Sequence, residues 1–238
     1  MKKIVIVGFI AAIVVVISLV LAGAFRHPTH TEQVSTPVPA RPAVTIVLDP
    51  GHGGWDPGAV VDDILEKDVN VEIVSRVRAL AEVHPDLSPV LTRELDVYVE
   101  KKDRVQLADQ VGAALYLSIH VNACDYPEVH GVETWVDDTR EPSDPSWVLA
   151  SAVQDAVVEA TGARDRGIRS QQLYLRHTTL PAASIEVGFL TCDKERAKLL
   201  DPVYQDQIAR AVVDGILTFL EASRILTAAE PATSSGGT

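Results

Sequence analysis

Two periodicities alternate along residues 44–222. Residues 44–48 (Val-Thr-Ile-Val-Leu) form a short apolar run, the pattern of a buried strand. From Glu66 the spacing becomes helical, with Val69, Ile73, Val77 and Leu80 on one face and Pro85 beyond the end. Residues 89–92 predict a second strand. A second helix is predicted over 99–112, with Lys101, Lys102, Asp103 and Arg104 on its exposed side. Residues 114–119 and 132–136 predict a third and a fourth strand, and 147–161 a helix closing at Gly162. Residues 173–175 and 183–185 predict two more strands. Tyr204, Ile208, Val212, Ile216 and Leu220 step by four along a last helix. This alternation predicts a single three-layer α/β domain, its twisted, mostly parallel sheet of about six strands flanked by helices.

Outside that span the pattern changes. After Met1, Lys2 and Lys3, residues 4–25 carry no charge, and roughly 18–20 apolar residues suffice to cross a bilayer. Two readings fit, a retained transmembrane anchor and a cleaved signal peptide. Ala22-Gly23-Ala24 suits cleavage, whereas an apolar run longer than the usual ~7–15 residues favours the anchor. Either reading sends the following chain out of the cytoplasm and keeps the lysines inside. Residues 26–43, with Pro28, Pro37, Pro39 and Pro42, read as a linker. Extended at ~3.1 Å per residue, it reaches on the order of 50 Å. Residues 223–238, rich in Ala, Ser, Thr and Gly, read as a disordered tail. The expected organisation is 1–25 anchor or signal, 26–43 linker, 44–222 folded domain and 223–238 tail.

Composition narrows the function classes. A 47% hydrophobic chain of 238 residues is not a disordered polymer, and two cysteines do not make a disulfide scaffold. Lys+Arg of 21 against Asp+Glu of 33 gives a net charge of −12. A phosphate backbone needs a basic surface, so a nucleic-acid partner is not expected.

Candidate chemistry gathers where strands end, the place sites occupy in α/β sheets. The first strand runs into Asp49-Pro50-Gly51-His52-Gly53-Gly54-Trp55-Asp56-Pro57-Gly58. A phosphate cradle fails there because Asp56 stands where a dinucleotide loop has its third glycine, and no Gly-Lys-Ser/Thr follows. The third strand ends in Ser118-Ile119-His120-Val121-Asn122, where the histidine also reads as a hydrogen-bonded core residue. Glu186 interrupts the apolar run Ala183-Ser184-Ile185-Glu186-Val187, and a buried carboxylate calls for a partner. Glu66 opens the first helix, where an acidic residue also complements the dipole. Two histidines and a carboxylate can hold a hydrolytic zinc ion while a second carboxylate moves protons. The spacing does not force this, because the residues lie far apart in the chain.

Several blocks, in order, resemble the zinc-dependent N-acetylmuramoyl-L-alanine amidases of the amidase_3 type. They are Val47-Leu48-Asp49-Pro50-Gly51-His52-Gly53-Gly54, Leu65-Glu66-Lys67-Asp68, Leu91-Thr92-Arg93, Ser118-Ile119-His120-Val121-Asn122-Ala123 and Ile185-Glu186-Val187-Gly188-Phe189-Leu190. The resemblance covers residues 44–220. It implies one zinc ion on His52, Glu66 and His120, with Glu186 as the catalytic carboxylate. The implied substrate is peptidoglycan, cut at the amide between N-acetylmuramic acid and L-alanine. The N-terminal segment independently places a monomer outside the cytoplasm, held by the membrane if it is an anchor and in the periplasm or cell wall if it is a cleaved signal. Asn122 and Arg176 are candidates for holding substrate, and Asp49 and Asp56 for orienting His52. Surface pairing of Arg176 and turn-capping by the others are the plainer readings. A zinc peptidase cutting within stem peptides and a non-catalytic wall-binding module are the rival functions. Many family members carry a helix after the fourth strand that blocks the zinc; the short, proline-containing connection over 137–147 predicts an open site instead. Cys124 and Cys192 follow the His120 and Glu186 strands, which in an exported chain leaves two readings open. One is a disulfide that braces the rim. The other, less well supported because it leaves His52 and Glu186 unexplained, is a cysteine nucleophile paired with His120.

Overall fold

Strand β1 (Val44–Pro50) is buried from Ile46 onward, with a neighbour on either side. It runs parallel to β4 (Leu87–Leu91) at one edge and to β5 (Tyr116–Asn122) on the other. Next come β8 (Ala182–Phe189), parallel to β5, and β6 (Val132–Asp137), antiparallel to β8. Strand β7 (Asp165–Gln171) closes the far edge in parallel with β6. The order is β4-β1-β5-β8-β6-β7, a mixed sheet that is parallel except at the β8/β6 pair. A separate hairpin, β2 (Val60–Val61) and β3 (Ile64–Leu65), leads into helix α1 (Glu66–Glu82). This computed structural model describes residues 42–229. The expected anchor, most of the linker and the last residues of the tail lie outside them. Among the described residues no helix is long and apolar enough to cross a membrane.

Side chains alternate across a strand with period two, and this sorts the sheet into two faces. Ile46, Leu48, Leu117, Ile119, Ile185 and Val187 point into the larger core. There they meet α1, α3 (Pro145–Thr161) and α5 (Pro202–Ala229) through residues such as Ile73, Val153 and Val212. The intervening Val47, Tyr116 and Ala182 pack on the opposite face against Val105 and Ala108 of α2 (Lys101–Gln110). The same alternation delivers Asp49, Ser118, His120, Ser184 and Glu186 to the α2 face. Helix α3 starts where Asp144 accepts from the Ser146 amide at 2.8 Å and Pro145 fills the first turn, and it ends at left-handed Gly162.

Four expectations need correction. Residues 173–175 are not a strand, since Tyr174–His177 forms a 3₁₀ turn that buries Leu175. The sixth strand is instead β7, an edge strand whose Asp-Arg-Gly-Ile-Arg-Ser-Gln sequence is too polar and exposed to show alternation. Arg104 does not lie on the exposed side of its helix but is 4% exposed, because it shares a face with Val105 and Ala108. The last helix does not stop before Ser223 but continues to Ala229, through a run of helix-favouring Ala, Leu and Arg. A short helix, α4 (Asp193–Leu199), also follows β8.

Candidate metal centre

Local backbone geometry presents His52. Gly53 and Asp56 exchange backbone hydrogen bonds of 2.9 and 3.2 Å, which folds the loop after β1 into a tight turn. His52 itself has φ of 62°, a left-handed conformation that costs a non-glycine residue roughly 1–2 kcal/mol. The surroundings impose it. Arg104 Nη2 donates to the His52 carbonyl at 2.7 Å, and Asp56 Oδ2 lies 2.9 Å from His52 Nδ1. With Nδ1 committed to Asp56, Nε2 is left facing Glu66, 3.2 Å from its Oε2.

Glu66, at the start of α1, lies between two imidazoles. Its Oε1 is 2.9 Å from His120 Nδ1 and accepts from the Val121 amide at 3.3 Å and from Asn70 Nδ2 at 3.2 Å. Its Oε2 accepts from the Ala59 amide at 2.9 Å. Burial works against the carboxylate, but the bonds from His120 and His52 outweigh it and hold Glu66 well below the usual carboxylate range. Burial likewise opposes a charged His120, yet Glu66 and the nearby Glu186 charge raise it to about 9. His52 is raised too, again by Glu66 over the opposing effect of burial. Two glycines make this approach possible. A Cβ on Gly51 would sit 2.1 Å from His120 Cε1, and one on Gly58 would sit 2.5 Å from Glu66 Oε2.

The donor atoms of His52, Glu66 and His120 all lie within 4.8 Å of one another. A tetrahedral zinc ion with bonds of about 2.0–2.2 Å holds neighbouring donors about 3.3 Å apart, close to the two His–Glu spacings of 3.2 and 2.9 Å. Two imidazoles with one carboxylate suit zinc better than magnesium or calcium, which take oxygen ligands. The cluster is geometrically consistent with a single zinc site.

Glu186 pairs with His120 in the β5/β8 register and with Glu133 across β6. Its Oε2 is inaccessible and has no hydrogen-bond partner among the described residues. Burial pushes its pKa up to about 7; the His120 charge pulls down, while Glu66 and Glu133 push up. A carboxylate so placed exchanges a proton readily near neutrality. Glu186, His52 and His120, together with Gly51, Tyr98, Lys101, Tyr174 and Ser184, line a cavity of about 320 Å³ that opens past the carboxyl ends of β1, β5 and β8.

The other candidates fall in different places. Asp56 touches His52 directly, as described. Asp49 does not; fully buried, it accepts from Arg104 at 2.8 Å, Tyr116 at 2.6 Å and Ser118 at 2.8 Å, and also from Thr92. Arg104 therefore ties Asp49 to the His52 loop. Asn122 donates to Glu133 at 2.9 Å and accepts from the Ala123 amide. Arg176 donates to Asp137 at 3.2 Å and Asp138 at 2.9 Å, the plainer of its two readings, and does not line the cavity. Cys124 and Cys192 are free thiols, so of the open readings this structure does not show the disulfide. Cys124 Sγ donates to the Tyr126 carbonyl, while Cys192 caps α4 and its carbonyl accepts from Arg196. Sequence reasoning missed Arg104 and also Glu133, which Arg166 clamps at 2.7 Å. The i, i+1, i+4 spacing of Arg104, Val105 and Ala108 was the available signal for Arg104. The β6–α3 connection over 138–144 contains no helix.

Known proteins resemble this chain in sequence and fold. The family model for N-acetylmuramoyl-L-alanine amidase (Amidase_3) matches residues 46–218. The N-acetylmuramoyl-L-alanine amidase LytC of Bacillus subtilis is 36% identical over 176 residues, which make up 74% of this chain and 35% of that protein. This chain thus spans about a third of LytC. The germination-specific N-acetylmuramoyl-L-alanine amidase of the same organism is 35% identical over 73% of this chain and 78% of its own. The solved N-acetylmuramoyl-L-alanine amidase of Clostridium difficile 630 superimposes with a TM-score of 0.72 at 37% identity, covering 76% of this chain and 98% of that one. With the family model matching well over half of its length, this chain belongs to the N-acetylmuramoyl-L-alanine amidase family, Amidase_3.

Proposed function

We propose that this protein is a zinc-dependent N-acetylmuramoyl-L-alanine amidase that cuts peptidoglycan between the lactyl group of N-acetylmuramic acid and the L-alanine of the stem peptide. The observation that carries the reading is the meeting of His52, Glu66 and His120 beside the half-buried Glu186, whose Oε2 is inaccessible and has no hydrogen-bond partner among the described residues. In this reading His52, Glu66 and His120 hold the metal and Asp56 keeps the His52 ring in place. When bound, zinc supplies a Lewis acid that polarises the scissile carbonyl and acidifies water. Glu186 takes a proton from the attacking water as its oxygen adds to the carbonyl carbon. The C–N bond then breaks, and Glu186 returns the proton to the departing L-alanine nitrogen, leaving a lactyl carboxylic acid and a free amine, between which the acid proton then passes to give carboxylate and ammonium. A pKa near 7 suits a group that must both accept and release a proton.

Supporting the cellular setting, the uncharged run over 4–25 sends the folded part out of the cytoplasm, as an anchor or a signal, and the 26–43 linker lets it reach the wall. The helix-free 138–144 connection supports a site that is open without an activator. The test is a digest of purified peptidoglycan with and without a chelator, its fragments identified by mass. New amino groups on L-alanine that vanish with chelator support the amidase. New amino groups elsewhere in the stem would make it a zinc peptidase, and no fragments at all a binding module.

A further inference from the structure

Trp55 is the tip of the tight turn after β1, and it is 76% exposed. A lone exposed apolar residue calls for no explanation, but an exposed tryptophan stacked on a second ring at a cavity mouth is a patch of the kind that marks an interaction site. Its ring lies against that of Tyr98, centroids 4.2 Å apart and planes inclined by 31°. Tyr98 in turn lines the catalytic cavity, whereas Trp55 does not. The pair therefore extends the cavity wall outward by one ring. The platform is held rigidly. Gly54 donates to Asp96 at 2.7 Å, and Lys67 Nζ bridges the Gly54 carbonyl at 2.9 Å and Asp96 at 2.7 Å. Rigid, exposed aromatics bind with little loss of conformational freedom, the property that makes Trp and Tyr frequent anchors.

We propose that Trp55 and Tyr98 form a shelf on which a neutral sugar ring of the glycan strand stacks, one unit away from the muramic acid being cleaved. The inference rests on the amidase reading, in which the scissile amide hangs from a sugar polymer that must continue past the cavity mouth. The apolar face of a pyranose, with its axial C–H bonds, matches an aromatic ring. Charge favours this occupant over an anionic lipid surface, because the chain carries a net charge of −12 and Glu100 Oε2 accepts from the Tyr98 hydroxyl at 3.2 Å.

The test compares the wild type with Trp55→Ala and Trp55→Phe. The first measurement is the affinity for peptide-free glycan chains of alternating N-acetylglucosamine and N-acetylmuramic acid. The second is the ratio of kcat/KM on whole peptidoglycan to that on a single N-acetylmuramoyl-dipeptide, which lacks neighbouring sugars. Trp55→Ala should raise the Kd for glycan and lower the kinetic ratio, each about tenfold. The change should fall on KM rather than kcat, and Trp55→Phe should recover most of it. A Kd and a ratio both within about twofold of the wild type would overturn the shelf. So would loss of binding to phosphatidylglycerol vesicles in Trp55→Ala with glycan affinity intact, which would make the shelf a membrane contact. If the wild type releases no L-alanine amino groups from either substrate, the amidase reading fails, and the glycan affinities still decide the shelf.

Discussion

Replacing Gly51 with alanine tests the packing that brings the imidazoles and the carboxylate together. The new Cβ would sit 2.1 Å from His120 Cε1 and 2.4 Å from Nε2. To move from 2.1 Å to an ordinary contact of 3.4 Å, the ring or the loop must retreat by about 1.3 Å. The ring has little freedom to do so, because its Nδ1 is held by Glu66 and its strand lies between β1 and β8. Overpacking of this kind costs about 1–3 kcal/mol, and each kcal/mol lowers Tm by about 2–4 °C in a domain of this size. Metal affinity should suffer more, since ligand positions must hold to within about 0.2 Å. Gly51→Ala is therefore expected to fold, to unfold a few degrees lower after chelator treatment, and to bind zinc at least about 100-fold more weakly. Competition with a chromogenic chelator reads the affinity, and circular dichroism reads Tm. A Gly51→Ala protein that binds zinc as tightly as the wild type would refute the reasoning.

Other substitutions probe the remaining parts. Glu186→Gln should lower kcat by about 10²–10⁴-fold with zinc still bound; loss of zinc with activity would make Glu186 a ligand. Because the carboxylate form accepts the proton, kcat/KM of the wild type should rise with pH along a limb centred no higher than about 7, since a bound cation can only lower that pKa. Arg104→Met removes the charge partner of the fully buried Asp49, and urea unfolding should register a loss of about 3–5 kcal/mol; a loss under about 1 kcal/mol would show that the hydroxyls suffice. Alkylation without reductant should label half-buried Cys124 in the folded protein and buried Cys192 only after unfolding, whereas an unlabelled chain in denaturant would restore the disulfide.

Most of the architecture was legible because it rests on burial. The strands β1, β5 and β8 lie inside the sheet, so their apolar runs stand out from the sequence, and α1 and α5 show clean helical stripes. Strand β7 was illegible for the opposite reason, since an edge strand with mostly exposed Arg, Ser and Gln carries no hydrophobic rhythm. The apolar Leu173, Tyr174 and Leu175 mimicked a strand while packing into the small core, with Leu173 and Tyr174 also lining the cavity. Within the site, the four chemical groups were visible as polar interruptions at strand ends, and the resemblance gave them roles. Their mutual distances were not visible, because the contacts of Glu66 with His52 and His120 join residues 14 and 54 positions apart. The supporting layer was hidden deeper still. Asp49 looked like a turn residue beside His52, and only the folded chain reveals that Arg104, from a helix read as solvent-facing, joins the two.

X-ray absorption at the zinc edge on the purified, dialysed protein tests the central claim most directly. One zinc per chain is expected, with two imidazole nitrogens and the remaining scatterers oxygen at about 2.0–2.2 Å, and no sulfur. Sulfur at about 2.3 Å, which would bring Cys124 or Cys192 into the coordination, or a protein that retains no zinc at all, would contradict it.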